Sequence, residues 1–305
     1  MKKLLFPLLS VFLGSVFLLS AYSKFSTIEF FELSVVDSGF IGWTFAPFVA
    51  RIIIAFEFFT GILLILNLRL KEFTLWISLG LLSVFTLYLI YTLVFKGNHE
   101  NCNCFGSLIP LNPVESILKN SVLILIVLFL LKYHPGLVWK RSFLITGIVF
   151  LISVILPFIG NPIASLNTVT ASPEPAYHLD LDRIYTNSKA IKPSRELREG
   201  KYIIAFFSLK CPFCIMGGYK LHLMHQRNPS LPVYFIVNGK VKDIPKFLEE
   251  TKSYDIPQTL LLGEDFKVLS RSKVPSIFYV EDSKVVKKVN PVEVNQEDIE
   301  KWLGK

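Results

Sequence analysis

The run Lys201-Tyr-Ile-Ile-Ala-Phe-Phe207 leads through Ser208-Leu209-Lys210 into Cys211-Pro212-Phe213-Cys214. Six apolar residues in a row, bounded by a charge and by turn residues, read as a strand buried on both faces. The residues from Cys211 to about Arg227 have helical character despite the pair Gly217-Gly218, so Cys211 falls at a helix N-terminus. Unpaired N–H groups and the helix dipole favour thiolate over thiol at such a place, and the thiolate is the attacking species. Cys214 lies one turn on, placed to resolve a mixed disulfide. Leu231–Val237 reads as a second strand and Asp243–Ser253 as a helix. Val274–Val280 and Lys284–Val289 read as a hairpin, and Asn295–Leu303 as a closing helix.

This order over residues 200–303 resembles the thioredoxin fold. Cys-x-x-Cys sits between strand and helix, Val274-Pro275 opens a later strand, and a charged hairpin turn follows. The resemblance implies that Pro275 is a cis-proline facing the dithiol and binding substrate backbone. Pro275 lies 61 residues after Cys214, a gap that suits the periplasmic, membrane-tethered branch with an extra helix and strand. Pro212-Phe213 is similar to the glutaredoxin dipeptide, but no Gly-Gly glutathione signature follows Pro275. An inert disulfide or half a zinc site is the bland reading of Cys211 and Cys214. No second Cys-x-x-Cys or His-x-x-x-His completes a zinc cage. His222 and His225 read as helix-surface residues.

Outward from this region the chain changes character. Of 305 residues, 52% are hydrophobic and only 18% charged, and mean hydropathy is +0.50. That excludes disorder and a purely soluble protein. The net charge of +8 divides as +4 before residue 160 and +4 after it, with no basic run interleaved with stacking aromatics, which leaves nucleic-acid binding without support. Five stretches approach the roughly 20 residues of a membrane span. They are Leu4–Ala21, Phe45–Leu66, Phe73–Phe95, Pro113–Leu131 and Phe143–Ile159. The fold expected is a membrane all-α bundle over 1–160, a Pro/Ser/Thr-rich linker over 161–177, and an α/β thioredoxin-like domain over 178–305.

Alternating spans put Lys2, Lys3, Arg69, Lys71, Lys132, Lys140 and Arg141 on one side. The opposite loops hold Lys24 with Glu29, Glu32 and Asp37, and Lys96 with Glu100 and Glu115. The positive-inside rule then makes the N-terminus cytoplasmic and the C-terminal domain extracytoplasmic, in a multi-pass inner-membrane protein. The first stretch also fits a signal peptide.

Four cysteines occur, as Cys102-Asn103-Cys104 in the loop between the third and fourth spans and as Cys211/Cys214. Both pairs fall on the extracytoplasmic side, where disulfides persist. None lies on the other side, so thiol exchange alone carries no electrons across the bilayer. A Cys-x-Cys disulfide closes a small, strained and hence oxidising ring. Alternatively His99, Cys102 and Cys104 bind copper or zinc, or the pair is a static staple.

Ser20-Ala-Tyr-Ser-Lys24, Glu57-x-x-x-Gly61, Cys102-Asn-Cys-Phe-Gly106 and Lys119-Asn120 carry a second resemblance, to the MauE/DoxX family of small helical membrane proteins, over about residues 1–135. It implies a role in disulfide formation, as MauE is thought to assist maturation of the methylamine dehydrogenase small subunit with a separate thioredoxin-like companion. The fifth span is additional to the family's usual four helices. Arg51 and Glu57, six residues apart, do not share a helix face. Glu57 reads either as a structural tie to another helix or as a proton relay beside a quinone.

Together these readings describe an extracytoplasmic thiol–disulfide oxidoreductase acting through Cys211, Cys214, Pro275, Cys102 and Cys104. Its expected partners are cysteine-containing substrate proteins and the lipid bilayer, not nucleic acid. No cofactor is required for thiol exchange and no resident metal is assigned; a membrane quinone is the candidate that regenerates the loop pair. The rivals are a reductase or isomerase fed by another membrane protein, and a non-enzymatic metal-site assembly scaffold.

Overall fold

The computed structural model describes residues 2–98, 111–133, 142–163, 176–187 and 192–304. These divide into two units, Met1–Ile163 and Ala164–Lys305.

In the first unit, apolar runs become helices α1 (Lys2–Ser26), α2 (Ile28–Asp37), α3 (Ala46–Ile65), α4 (Leu75–Lys96), α5 (Pro113–Tyr133) and α6 (Ser142–Gly160), with a π-helical turn at Leu70–Thr74. All but α2 are long and apolar enough to cross a membrane. Large apolar side chains stay exposed along them, among them Leu87, Leu125 and Ile159, as expected where lipid rather than water is the solvent. The spans alternate in direction. At one end Asn161, just past α6, donates to the Phe25 carbonyl of α1 at 3.0 Å and accepts from Arg51 Nε of α3 at 2.9 Å. Lys96 at the end of α4 bonds Asp37 at the end of α2 at 2.6 Å. At the other end the Arg69 guanidinium sits 5.6 Å from the Phe143 ring that opens α6. Where α1 crosses α3, a Cβ on Gly14 would lie 2.7 Å from the Gly61 carbonyl oxygen. Only small residues permit backbones to approach this closely.

Two expectations need correcting here. Lys24 is not a loop cation: α1 continues past it, and the residue is 3% exposed inside the bundle. The connection that follows is not simply a loop, because Ile28–Asp37 buries Ile28, Phe31, Leu33, Val35 and Val36 as a short helix.

In the second unit, the strands are β1 (Tyr177–His178), β2 (Lys201–Ser208), β3 (Val233–Asn238), β4 (Gln258–Leu260), β5 (Ser276–Glu281) and β6 (Lys284–Val289). The helices are α7 (Asp182–Asn187), α8 (Pro212–Arg227), α9 (Ile244–Thr251), α10 (Glu264–Ser270) and α11 (Gln296–Leu303). The sheet order is β1-β6-β5-β2-β3-β4. β2 runs parallel to β3 and antiparallel to β5. This central strand is buried on both faces from Ile203 to Phe207, which is why it reads as a continuous apolar run rather than an alternation. Asp282 and Ser283, both at positive φ, close the β5–β6 hairpin with two residues, the geometry that matches strand twist. The topology is thioredoxin-like, with α9 and β4 inserted between β3 and α10: Phe247 of α9 packs on Phe207, on the face that carries α8, while Phe266 of α10 packs on Phe206, on the opposite face.

Candidate functional site

Strand β2 ends at Ser208, and the chain turns once before α8 begins. Cys211 N donates to Ser208 O at 3.1 Å to close this turn. Cys211 has extended backbone angles (φ −84°, ψ 119°) and stands as the N-cap of α8. Pro212 takes the first helical position, where its missing N–H costs nothing. The Cys211 carbonyl accepts from the N–H groups of Cys214 and Ile215, each at 3.0 Å.

The two thiols are free and differ in exposure: Cys211 is partly open, Cys214 buried. Ser208 N donates to Cys214 Sγ at 3.3 Å. Burial, and then the hydrogen bond with the Cys211 sulfur, push the Cys214 thiol far above the ordinary cysteine range. An accessible attacking sulfur beside a shielded, protonated one is the arrangement a two-step exchange uses.

The Val274–Pro275 peptide bond is cis. Register places Ser276 opposite Phe206, so Pro275 lies at the sheet end where β2 delivers the dithiol. Val274 and Phe213 are 39% and 57% exposed, giving the approach to Cys211 an apolar rim. Thus the structure brings Cys211, Cys214 and Pro275 to one end of one sheet. Cys102, Cys104 and His99 lie outside the described residues. His222 and His225 are not open surface residues: their side chains are 12% and 15% exposed and face Asp255, with His222 Nδ1 at 3.2 Å from Asp255 Oδ1.

Sequence reading missed one constellation in the membrane unit. Lys24 Nζ lies 2.6 Å from Glu57 Oε1 and 2.7 Å from Ser20 Oγ, and Ser20 donates to Glu57 Oε1 at 3.0 Å. Phe31 and Phe85 flank the ammonium at 5.4 and 5.1 Å. Of the two readings of Glu57, the structure provides the tie to another helix. Arg51 is tied separately, to Glu32 at 2.6 Å. The partner was readable as the lysine at the end of Ser20-Ala-Tyr-Ser-Lys24; counting it as a loop charge hid it.

Residues 2–133 match the family model of methylamine utilisation protein MauE. Protein TlpB of Flavobacterium psychrophilum is 27% identical over 289 residues, covering 79% of this chain and 78% of its own. Among solved structures, a thiol:disulfide interchange protein from Bacteroides sp. is 22% identical, covering 45% of this chain and 91% of that one at a TM-score of 0.31. The thioredoxin domain of a thiol-disulfide oxidoreductase from Bacteroides vulgatus is 23% identical, covering 45% and 96% at a TM-score of 0.30. The chain is a multi-pass membrane protein that joins a MauE-matching helical region to a thioredoxin-like unit bearing a Cys-x-x-Cys pair.

Proposed function

We propose that this membrane thiol–disulfide oxidoreductase oxidises cysteine-containing proteins on the extracytoplasmic side, through Cys211 and Cys214. The observation that carries the reading is the asymmetry of the pair: Cys211 partly open as N-cap of α8, Cys214 buried and held as a thiol, at the sheet end that also bears cis-Pro275. A substrate thiolate attacks Cys211 of the Cys211–Cys214 disulfide. Cys214 leaves and takes a proton, and a mixed disulfide remains. A second substrate thiolate then attacks its partner sulfur, so the substrate gains a disulfide and Cys211 leaves with the electron pair. The Pro275 region binds the substrate backbone.

The dithiol is then reoxidised by Cys102/Cys104. The alternating spans and the cation-rich end with Arg69, Lys71 and Lys132 support a cytoplasmic N-terminus, an inner-membrane location and both cysteine pairs outside. Maturation of periplasmic enzymes, as in methylamine utilisation, is the setting that the MauE match suggests. Tethering the pairs in one chain raises their effective concentration to about the millimolar range.

The test is oxidation of a reduced, disulfide-requiring protein by the full chain in detergent. The expected result is loss of substrate thiols matched by appearance of Cys211/Cys214 thiols, abolished in Cys211→Ser. Unchanged oxidation by Cys211→Ser overturns the reading, and a very low measured reduction potential for the pair favours the reductase instead.

A further inference from the structure

Cys211 stands at the sheet end where the parallel strands β2 and β3 finish side by side, with Ser208 in register with Asn238. The two segments stay together beyond that point. A Cβ on Gly239 would lie 2.8 Å from Leu209 Cδ1, so Lys210 and Lys240 leave the sheet as neighbours. Val241–Asp243 then makes one 3₁₀ turn, which keeps Lys242 at this end. On the other side of β2, the antiparallel strand β5 opens with Ser276 opposite Phe206, and Ser276 Oγ donates to the Lys273 carbonyl at 3.0 Å. Lys273 therefore sits at the same end, just before Val274 and cis-Pro275.

Lys210, Lys240, Lys242 and Lys273 are all exposed. The acids of this end offset them only in part. Asp243 lies 3.4 Å from Lys210, Glu264 at the start of α10 lies 3.5 Å from Lys267, and Glu293, past β6, accepts from Asn290 N at 3.1 Å. Among the described residues, no carboxylate pairs with Lys240, Lys242 or Lys273. Phe213, Val274 and Val241 are exposed among these cations. The surface beside Cys211 is thus apolar next to the reactive residue and cationic around it.

We infer that this rim selects its substrates by charge: it takes extended, cysteine-bearing segments of extracytoplasmic proteins that carry an apolar residue beside the cysteine and Asp or Glu within the next few residues. The inference rests on the proposed function and names its substrate class. Backbone binding at Pro275 is blind to sequence, whereas the lysines add a criterion that acidic segments meet and basic ones fail. Charges of one sign around a site raise the encounter rate of opposite charges and oppose like ones. Because these lysines are exposed, the effect lies in association and is screened by salt. The chemistry is unchanged: the selected thiolate attacks Cys211, and Cys214 leaves.

The experiment follows oxidation of two reduced dithiol peptides by the oxidised full chain in detergent. The peptides differ only in carrying Asp or Lys at the positions flanking their cysteines. Each rate is divided by that of the same peptide with uncharged hydroxyethyl disulfide, which removes the influence of the flanking charges on the peptide's own thiols. At low ionic strength the normalised rate should favour the acidic peptide by about tenfold, and the ratio should fall towards one at high salt. Lys240→Glu and Lys273→Glu should each lower the ratio, and the double variant should bring it to one or below. A wild-type ratio near one, or a ratio unchanged in the double variant, overturns this inference alone and leaves the lysines to solvent or to anionic lipid headgroups. If the chain oxidises neither peptide, but its reduced form attacks the disulfide of the acidic peptide faster than that of the basic one, the rim is supported and only the oxidising direction of the proposed function fails. Exchange in neither direction overturns both.

Discussion

Cys214 makes a testable contribution at the level of a single proton. Burial raises its pKa in the folded, reduced chain above the ordinary value of 9.0. The neutral thiol is thus favoured by folding. Its stabilisation is fully present below about pH 9 and is lost as pH rises from there through the higher folded value. Compared with Cys214→Ala, the reduced wild type should lose up to ~1.4 kcal/mol per pH unit above that point, measured by denaturant unfolding at constant ionic strength. Equal slopes for the two proteins would contradict the account. The same burial predicts that iodoacetamide alkylates Cys211 well before Cys214 under native conditions, read by mass spectrometry of each peptide.

At the scale of elements, two close approaches decide the packing. A Cβ on Gly217 of α8 would lie 2.9 Å from Pro291 Cγ and 3.1 Å from a Phe207 ring carbon. Gly217→Ala therefore costs ~1–3 kcal/mol by overpacking, although alanine is the better helix former by ~1 kcal/mol; a rise in melting temperature would refute this. In the membrane unit, the Lys24–Glu57 pair ties α1 to α3. Lys24→Met leaves a buried, unpaired carboxylate and should cost ~3–5 kcal/mol, seen as a lowered melting temperature in detergent. Lys24→Met with Glu57→Leu should recover most of that stability, because it removes both members of the buried pair.

Elements with strong local signals were legible in advance. The five long spans, β2, the Cys211 helix and the β5–β6 hairpin follow from hydropathy, period and turn chemistry. Asn295 marks the start of α11, and its side chain accepts from Glu297 N. What stayed hidden depends on tertiary partners. β1 has two residues and β4 three, too short for a period. The helix through Gly217-Gly218 was readable, but the reason for the pair shows only when Pro291 and Thr251 are seen against it. Lys24 reads as a loop charge until the fold supplies Glu57. At the candidate site, the cysteines and Pro275 were readable by motif, whereas the unequal burial of the two thiols required the structure.

On the scale of the whole molecule, the chain combines a MauE-matching helical region with a thioredoxin-like unit. The central claim is that the two cysteine pairs of one chain exchange disulfides. Cys214→Ala cannot resolve a disulfide at Cys211, so partners of Cys211 accumulate. Native membranes carrying this variant would be acid-quenched, alkylated and resolved on non-reducing gels, with and without Cys102→Ser and Cys104→Ser. The account predicts a compact monomeric species, lost in one loop variant and confirmed as a Cys211–loop crosslink by mass spectrometry. Adducts to other proteins alone, unchanged by either loop substitution, would contradict it.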